Sequence, residues 1–294
     1  MRSLLLLTAA ALLVGAAPAK KPLTPTDIVA AAPASAWKTI PSDDLLVLDL
    51  QSGGRVVVQL APQFAPVHVA NIQALARGKY WDGATIYRVQ DAYVAQWGLN
   101  ESDKPWPAGV TAKPPAGYTR ALKGLTVKPL GFADPYAPGA GFVNGWPVAY
   151  SPKGGWANLA HCYGAVGVGR NLSPDTGTGG ELYAAIAPIR HLDRNIAVIG
   201  RVIDGMGNLS SLPRGTEALG FYKDKSSFVP IASIRIASTI PAGERPSYEY
   251  LDTASASFAN YLRVRANRKD DFYIRPAGGV DLCNVNVPVR KKAS

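Results

Sequence analysis

Residues 80–98, YWDGATIYRVQDAYVAQWG, decide how the rest of the chain is read. Two strand-like runs, Ala84 to Val89 and Tyr93 to Trp97, are joined at Gln90-Asp91-Ala92 and entered through a turn at Asp82-Gly83. Side chains alternate across a strand, so Ile86 and Arg88 are expected on one side of the first run, and Val94 and Gln96 on one side of the second. That places a guanidinium and a carboxamide beside apolar surface. A fixed cation on a strand, next to an amide and the aromatic Tyr93, orients and polarises a neutral peptide group without proton transfer. The competing reading makes Arg88 a strand residue paired with a surface carboxylate, and the residues alone leave the two level.

The chain has 294 residues, 47% of them hydrophobic and 18% charged, which indicates a globular protein with one sizeable domain plus extensions, or two small domains. With 29 glycines and 24 prolines, loops are plentiful and a β-rich fold is favoured over a helical bundle. Met1-Arg2-Ser3, the apolar run Leu4 to Val14 and the small residues up to Ala19 have the form of a secretory signal, expected to be cleaved after Ala19. The apolar core is too short to span a bilayer comfortably. Export, with the bacterial periplasm as destination, is the expectation. The formal net charge of +10 fits a solvated basic surface or, second, contact with anionic envelope surfaces or acidic clients. Nucleic acid is not an expected partner of an exported chain, and membrane association is not expected either.

Residues 20–44 read as an Ala/Pro-rich leader with a short helix at Asp27 to Ala32. Leu45 to Leu50 and Arg55 to Leu60 flank Gln51-Ser52-Gly53-Gly54 and predict a hairpin, with Val56, Val58 and Leu60 on one side and Arg55 and Gln59 on the other. Pro66 stands where a first-turn proline belongs. Val69, Ile72, Gln73 and Ala76 follow at helical spacing until Gly78 stops the helix. Residues 99–163 are rich in proline and glycine. A structureless loop of that length is unusual in a compact domain, so Trp106, Tyr118, Trp146 and Trp156 are expected to pin it, with short strands at Leu125 to Leu130 and Val148 to Tyr150.

The segment Y-R-V-x-x-x-Y-V-x-Q-x-G resembles the F-H-R-V-x-x-x-F-M-x-Q-G-G signature of cyclophilin-type peptidyl-prolyl isomerases. GRVVVQLAPQFAPVHVANIQALARGKYWDG is similar to the strand, Ala-Pro, helix and Gly-x-Tyr order of that family's N-terminal half. GAVGVGRNLSPDTGTGGELYAAIAPIRHLDRNIAVIGRVIDGM, from Gly164, is similar to its later segment. The resemblance covers about residues 45–240 and implies a mostly β fold, a closed eight-stranded antiparallel barrel capped by two helices. It implies catalysis by Arg88 and Gln96, and a proline-binding groove formed by Tyr93, Val94, Gly169, Arg170, Tyr183, His191 and Leu192. It implies proline-containing polypeptide clients and no cofactor or metal. Several residues depart from the pattern: Val94 stands for the usual methionine, Glu181 for glutamine, Tyr183 for phenylalanine, and His191 where some members carry tryptophan. If buried, the Tyr183 hydroxyl needs a hydrogen-bond partner or water.

Gly207 to Leu212 reads as a second helix ended by Pro213, and Ile231 to Ile236 as the last strand. In the extension, 241–294, Asp252 is expected to cap a helix carrying Phe258, Tyr261, Leu262 and Arg265 at i, i+3, i+4 and i+7. That helix either docks on the domain, the favoured reading, or lies on an anionic membrane. Cys162 and Cys283 are the two cysteines, and in an oxidising compartment a bridge between them is expected to staple the extension to the barrel. Other chemistries do not assemble. The three histidines, His68, His161 and His191, form neither HExxH nor a metal-ligand pattern, and no G-x-S-x-G or phosphate loop is present. The reading is an isomerase that twists X-Pro bonds to assist the folding of exported proteins. Its alternative is a catalytically weak module binding proline-containing segments of envelope proteins, which Val94, Glu181 and Tyr183 favour.

Overall fold

In the computed structural model, residues 22–100 and 102–292 are described; the signal segment expected at 1–19 lies outside them. The hairpin forms with Leu45–Leu50 antiparallel to Arg55–Leu60. Its turn closes through the Leu50 carbonyl, which accepts from Gly53 N at 3.0 Å, with Gly53 at φ 92°, a conformation open to glycine. Val56, Val58 and Leu60 enter one core together with Leu46 and Leu48, while Val57, Leu45 and Val47 enter a second core on the opposite face. Burial on both faces explains why these strands read as unbroken apolar runs. Gln59, expected on the outer side with Arg55, is buried there, because Arg201 donates to its Oε1 from Nε at 3.1 Å and Nη2 at 2.9 Å.

Eight strands close into an antiparallel barrel in the spatial order Ala165–Val168, Leu182–Ala185, Val94–Gly98, Thr85–Gln90, Val229–Ile236, Leu45–Leu50, Arg55–Leu60 and Val198–Asp204, the last pairing back with the first. The helix Pro66–Arg77 packs Val69, Ile72, Leu75 and Ala76 onto the barrel core, and Leu209 of the short helix Gly207–Ser210 joins the same cluster. Gly78 caps the first helix, its N–H donating to the Ala74 carbonyl at 2.9 Å.

The insertion is more ordered than its composition suggests. Arg120–Ala121, Trp156–Leu159, Trp146–Ser151, Gly139–Val143 and Lys128–Pro129 form a five-stranded sheet in that order. Three of these strands, Arg120–Ala121, Gly139–Val143 and Trp156–Leu159, were not expected. GAGFV and WANL are short and poor in β-branched residues, and it is pairing and burial that hold them in the sheet. The aromatic anchors act as expected: Trp106 stacks on Tyr80 at 4.9 Å, Tyr118 lies under Arg170 at 5.9 Å, Trp146 under Arg201 at 4.8 Å and Trp156 under Arg194 at 4.9 Å. Val143, Trp146, Val148 and Leu159 pack with Val94, Tyr183, Ile189 and Val198 of the barrel side into a third core.

Leader and extension form one further layer. Trp37–Thr39, Tyr248–Leu251 and Val289–Lys291 make a three-stranded sheet. The leader helix is Pro25–Ala30, begun by Thr24, whose hydroxyl accepts from Asp27 N at 3.2 Å while Asp27 accepts from Thr24 N at 2.8 Å. The extension helix is Ala256–Ala266 and its cap is Ser255, whose Oγ accepts from Phe258 N at 3.1 Å. Asp252, expected in that role, instead pairs with Lys38 at 2.9 Å. Phe258, Tyr261 and Leu262 are buried in the second core, so this apolar face is not presented to a membrane. Cys162 and Cys283 are disulfide-bonded, with a Cα separation of 4.9 Å, and join the insertion to the extension.

Candidate active site

Arg88 does not share a face with Ile86, and the reason is a β-bulge. The register of Thr85–Gln90 against Val94–Gly98 pairs Ile86 with Trp97 and Arg88 with Gln96, leaving Tyr87 as the extra residue. Ile86 is fully buried in the barrel core, whereas Tyr87 and Arg88 both turn outward. Val94 and Gln96 do share the outer face, Val94 packing in the third core. The bulge thus aims Arg88 across the strand pair at Gln96.

Arg88 has no carboxylate partner among the described residues, which removes the reading of a surface ion pair. Its Nε donates to the Leu219 carbonyl at 2.7 Å, Nη1 to Gln96 Oε1 at 2.9 Å and Nη2 to Gln90 Oε1 at 2.6 Å. The guanidinium lies 5.2 Å from the Phe221 ring centroid and 5.7 Å from that of Tyr93. Burial lowers the Arg88 pKa from its usual value, and Tyr93 and Tyr87 oppose the shift, so the group stays cationic at neutral pH. Three of the five guanidinium N–H groups are engaged, which leaves one on each terminal nitrogen. Gln96 in turn donates from Nε2 to the Tyr87 hydroxyl at 2.6 Å, and Tyr87 donates to Glu181 Oε2 at 2.5 Å.

The other groove candidates fall around this pair. Tyr93 is half-buried and His191 stacks on it, with ring centroids 5.8 Å apart and planes within 10°. Leu192 packs on the same third core as Tyr93, Val94 and Tyr183. Gly169 donates its N–H to the Glu181 carbonyl at 2.8 Å, and a side-chain carbon built there would stand 3.5 Å from Gln96 Nε2. Arg170 sits at the rim, donating to the Asn195 carbonyl from Nε at 3.2 Å and Nη2 at 3.1 Å. Val94 is 2% exposed and Tyr183 5%, so the solvent-facing apolar wall is made by Tyr93 and Leu192, with Phe221 beside them.

The Tyr183 hydroxyl has the partner its burial requires. His161 Nε2 lies 3.2 Å from it, and His161 Nδ1 lies 3.0 Å from Asp193 Oδ1. Arg190 donates from Nε to Asp193 Oδ2 at 2.6 Å and from Nη1 to Asp134 Oδ2 at 2.9 Å. Burial would raise the Asp193 pKa, but hydrogen bonds and charge from His161 and Arg190 outweigh it and hold the carboxyl below its ordinary value. With Asp193 ionised, His161 donates to it from Nδ1 and accepts from Tyr183 at Nε2. Two members of this chain, Asp134 and His161, belong to the insertion.

Sequence reasoning missed Tyr87, Gln90, Leu219 and Phe221 around Arg88, and His161, Asp193, Arg190 and Asp134 behind Tyr183. Leu219 and Phe221 approach from a segment with no periodic signal. The one local hint is Leu219-Gly220, where both residues take positive φ, 60° and 80°, and turn the chain back against Gln90.

A family model described as cyclophilin type peptidyl-prolyl cis-trans isomerase/CLD matches residues 46–239. A probable peptidyl-prolyl cis-trans isomerase of Brucella suis biovar 1 (strain 1330) is 23% identical over 179 residues, 60% of this chain and 74% of that protein. Peptidyl-prolyl cis-trans isomerase B of Bacillus subtilis (strain 168) is 25% identical over 166 residues, 56% of this chain and 88% of that protein. The crystal structure of cyclophilin AquaCyp293 from Hirschia baltica aligns with a TM-score of 0.67 at 21% identity, covering 93% of this chain and 100% of that one, a likeness of fold. A family match over most of the chain, together with the closed barrel, places this protein in the cyclophilin-type peptidyl-prolyl cis-trans isomerase family.

Proposed function

We propose that this isomerase acts on X-Pro bonds of exported polypeptides in the bacterial periplasm, with Arg88 and Gln96 as its catalytic residues. The observation that carries the assignment of the residues is the Arg88 guanidinium itself: it is held by three neutral oxygens, unpaired with any carboxylate among the described residues, and keeps an N–H on each terminal nitrogen. Rotation about an X-Pro bond faces a barrier of about 20 kcal/mol from amide resonance. In the twisted transition state that resonance is gone and the nitrogen carries a lone pair. An Arg88 N–H aimed at that lone pair stabilises the transition state and not the planar ground state, which is the condition for acceleration. Gln96 holds the guanidinium in place and offers its amide to a neighbouring carbonyl. Tyr93 and Leu192 receive the proline ring on the apolar side, and no proton transfer or covalent intermediate is involved.

Export is supported by the charged, apolar and small-residue order of residues 1–19 and by the Cys162–Cys283 bond, which suits an oxidising compartment. The test of the site is paired. Arg88→Ala should lose on the order of 10²- to 10³-fold in kcat/KM on an Ala-Pro peptide while keeping its melting temperature. Arg88→Lys should not restore the rate, because an ammonium lacks the planar fork. A folded Arg88→Ala protein with an unchanged rate would rule the assignment out. The test of export is N-terminal sequencing of the protein recovered from periplasmic extract, which should begin at Lys20.

A further inference from the structure

We propose that Glu181 is a positioning residue for the isomerisation, holding the Gln96 carboxamide in the one orientation that supports Arg88, through Tyr87. This rests on the reading of Arg88 and Gln96 as catalytic. Glu181 opens the strand Leu182–Ala185 and reaches over to the neighbouring strands, its carboxylate occupying the space that a side chain at Gly98 would need. Its two oxygens are both engaged: Oε2 accepts from the Tyr87 hydroxyl at 2.5 Å and Oε1 from the Asn100 backbone N–H at 3.1 Å.

The direction of every hydrogen bond in the chain is fixed by its ends. Arg88 only donates, so Gln96 must present Oε1 to it, and Nε2 then faces Tyr87 and donates to its hydroxyl. The hydroxyl has one proton, and that proton goes to Glu181. At the far end the Asn100 N–H also only donates, so whatever stands at position 181 must accept on both sides. An ionised carboxylate does this. A carboxamide has one accepting oxygen and one donating group, and a protonated acid turns one of its two oxygens into an O–H donor. If its acceptor serves Asn100, its donor faces Tyr87, whose own proton then has to turn toward Gln96. Gln96 flips to accept it, and the flip points Nε2 at the guanidinium, donor against donor.

Burial raises the Glu181 pKa, opposed by the hydrogen bonds from Tyr87 and the Asn100 and Leu99 amides, so the carboxylate takes up a proton at higher pH than an ordinary glutamate. The groups around it are Tyr87 on one strand, Tyr80 beneath Lys104 on another segment, and Arg88 beyond Gln96. Both tyrosines have pKa values raised above the usual phenol value by burial and stay neutral through the acidic range. The chain therefore converts protonation of Glu181 into misorientation of Gln96.

The experiment measures kcat and KM on an Ala-Pro peptide, by a protease-free assay from pH 7.5 downward, for wild type, Glu181→Gln, Tyr87→Phe and the double variant, with melting temperatures for each. Glu181→Gln and Tyr87→Phe should each lower kcat roughly tenfold at neutral pH with little change in KM, the loss of one charge-assisted hydrogen bond's orientation. The double variant should be no worse than the poorer single one, since both break the same chain. Wild-type kcat should fall as pH drops through the Glu181 titration, and Glu181→Gln should lack that acid limb. A merely structural Glu181 would change melting temperature and leave the shape of the pH profile alone. If Glu181→Gln does not fold, Tyr87→Phe carries the test. Loss of rate in Arg88→Ala, with wild-type kcat and pH profile in the folded relay variants, overturns the relay and spares the site. An active Arg88→Ala overturns both.

Discussion

At the scale of residues, the departures from the family pattern come with partners of their own. The tyrosine at 183 brings a hydroxyl into an apolar cluster, and the structure meets that cost with His161, which is in turn oriented by Asp193. Tyr183→Phe removes the donor and leaves His161 Nε2 buried without a partner. The variant should lose about 1–3 kcal/mol of stability, read as a lower urea midpoint at unchanged slope. An unaltered midpoint would mean that the hydroxyl is not held as described. Glu181 likewise is not an isolated substitution: Gly98 makes room for it, and Tyr87 links it by hydrogen bonds to Gln96 and through it to Arg88. Arg88, the residue that most of the sequence reading turned on, owes its outward direction to the single extra residue at the bulge.

At the scale of elements, the insertion is part of the site's support. Its sheet covers Val94 and Tyr183 from outside, and Asp134 and His161 tie it to Arg190 and Asp193 of the barrel side. Arg190, Asp193 and Asp134 form an ion network whose side chains are all almost completely buried. Removing one charge from such a network leaves the others uncompensated, so Asp193→Asn should cost about 3–5 kcal/mol at neutral pH. The pH dependence follows from the direction of the shift. Asp193 is held below its ordinary pKa when folded, so its contribution is present above the unfolded value and is lost as pH falls through the folded one. Urea unfolding of wild type and Asp193→Asn should therefore converge in strongly acidic solution. A gap that stays constant with pH would show that the charge of Asp193 is not what matters.

At the scale of the molecule, three cores are stacked around one barrel: one inside it, one under the insertion, and one between the Leu45–Leu50 and Arg55–Leu60 strands and the combined leader and extension. The Cys162–Cys283 bond closes a loop of 121 residues and fastens the extension layer. The chain-entropy model gives such a cross-link roughly 4–5 kcal/mol. Intact mass of native protein should be two hydrogens below that of the reduced form. Cys283→Ala should lower the melting temperature and speed hydrogen exchange in Tyr248–Leu251 and Ala256–Ala266 before it affects Val94–Gly98, on the opposite side of the barrel. Uniform acceleration across all three segments would mean that the extension and the barrel unfold as one unit.

What the sequence determined by itself is what short-range geometry determines. The two short apolar runs either side of the glycine turn in 45–60, the first-turn proline and helical spacing in 66–78, and the eight-residue span from Arg88 to Gln96 across a hairpin place those elements and bring that pair together. The tertiary structure alone decided which way Arg88 faces, because a bulge is a property of two strands in register and not of either one. It alone supplied the Leu219 carbonyl to Arg88 from 131 residues away, the Glu181 carboxylate to Tyr87 from 94, and the order of the insertion. These are partnerships that burial imposes. A polar group leaves water only when another part of the chain, however distant in sequence, arrives to bond it, and no periodicity in the sequence records that meeting.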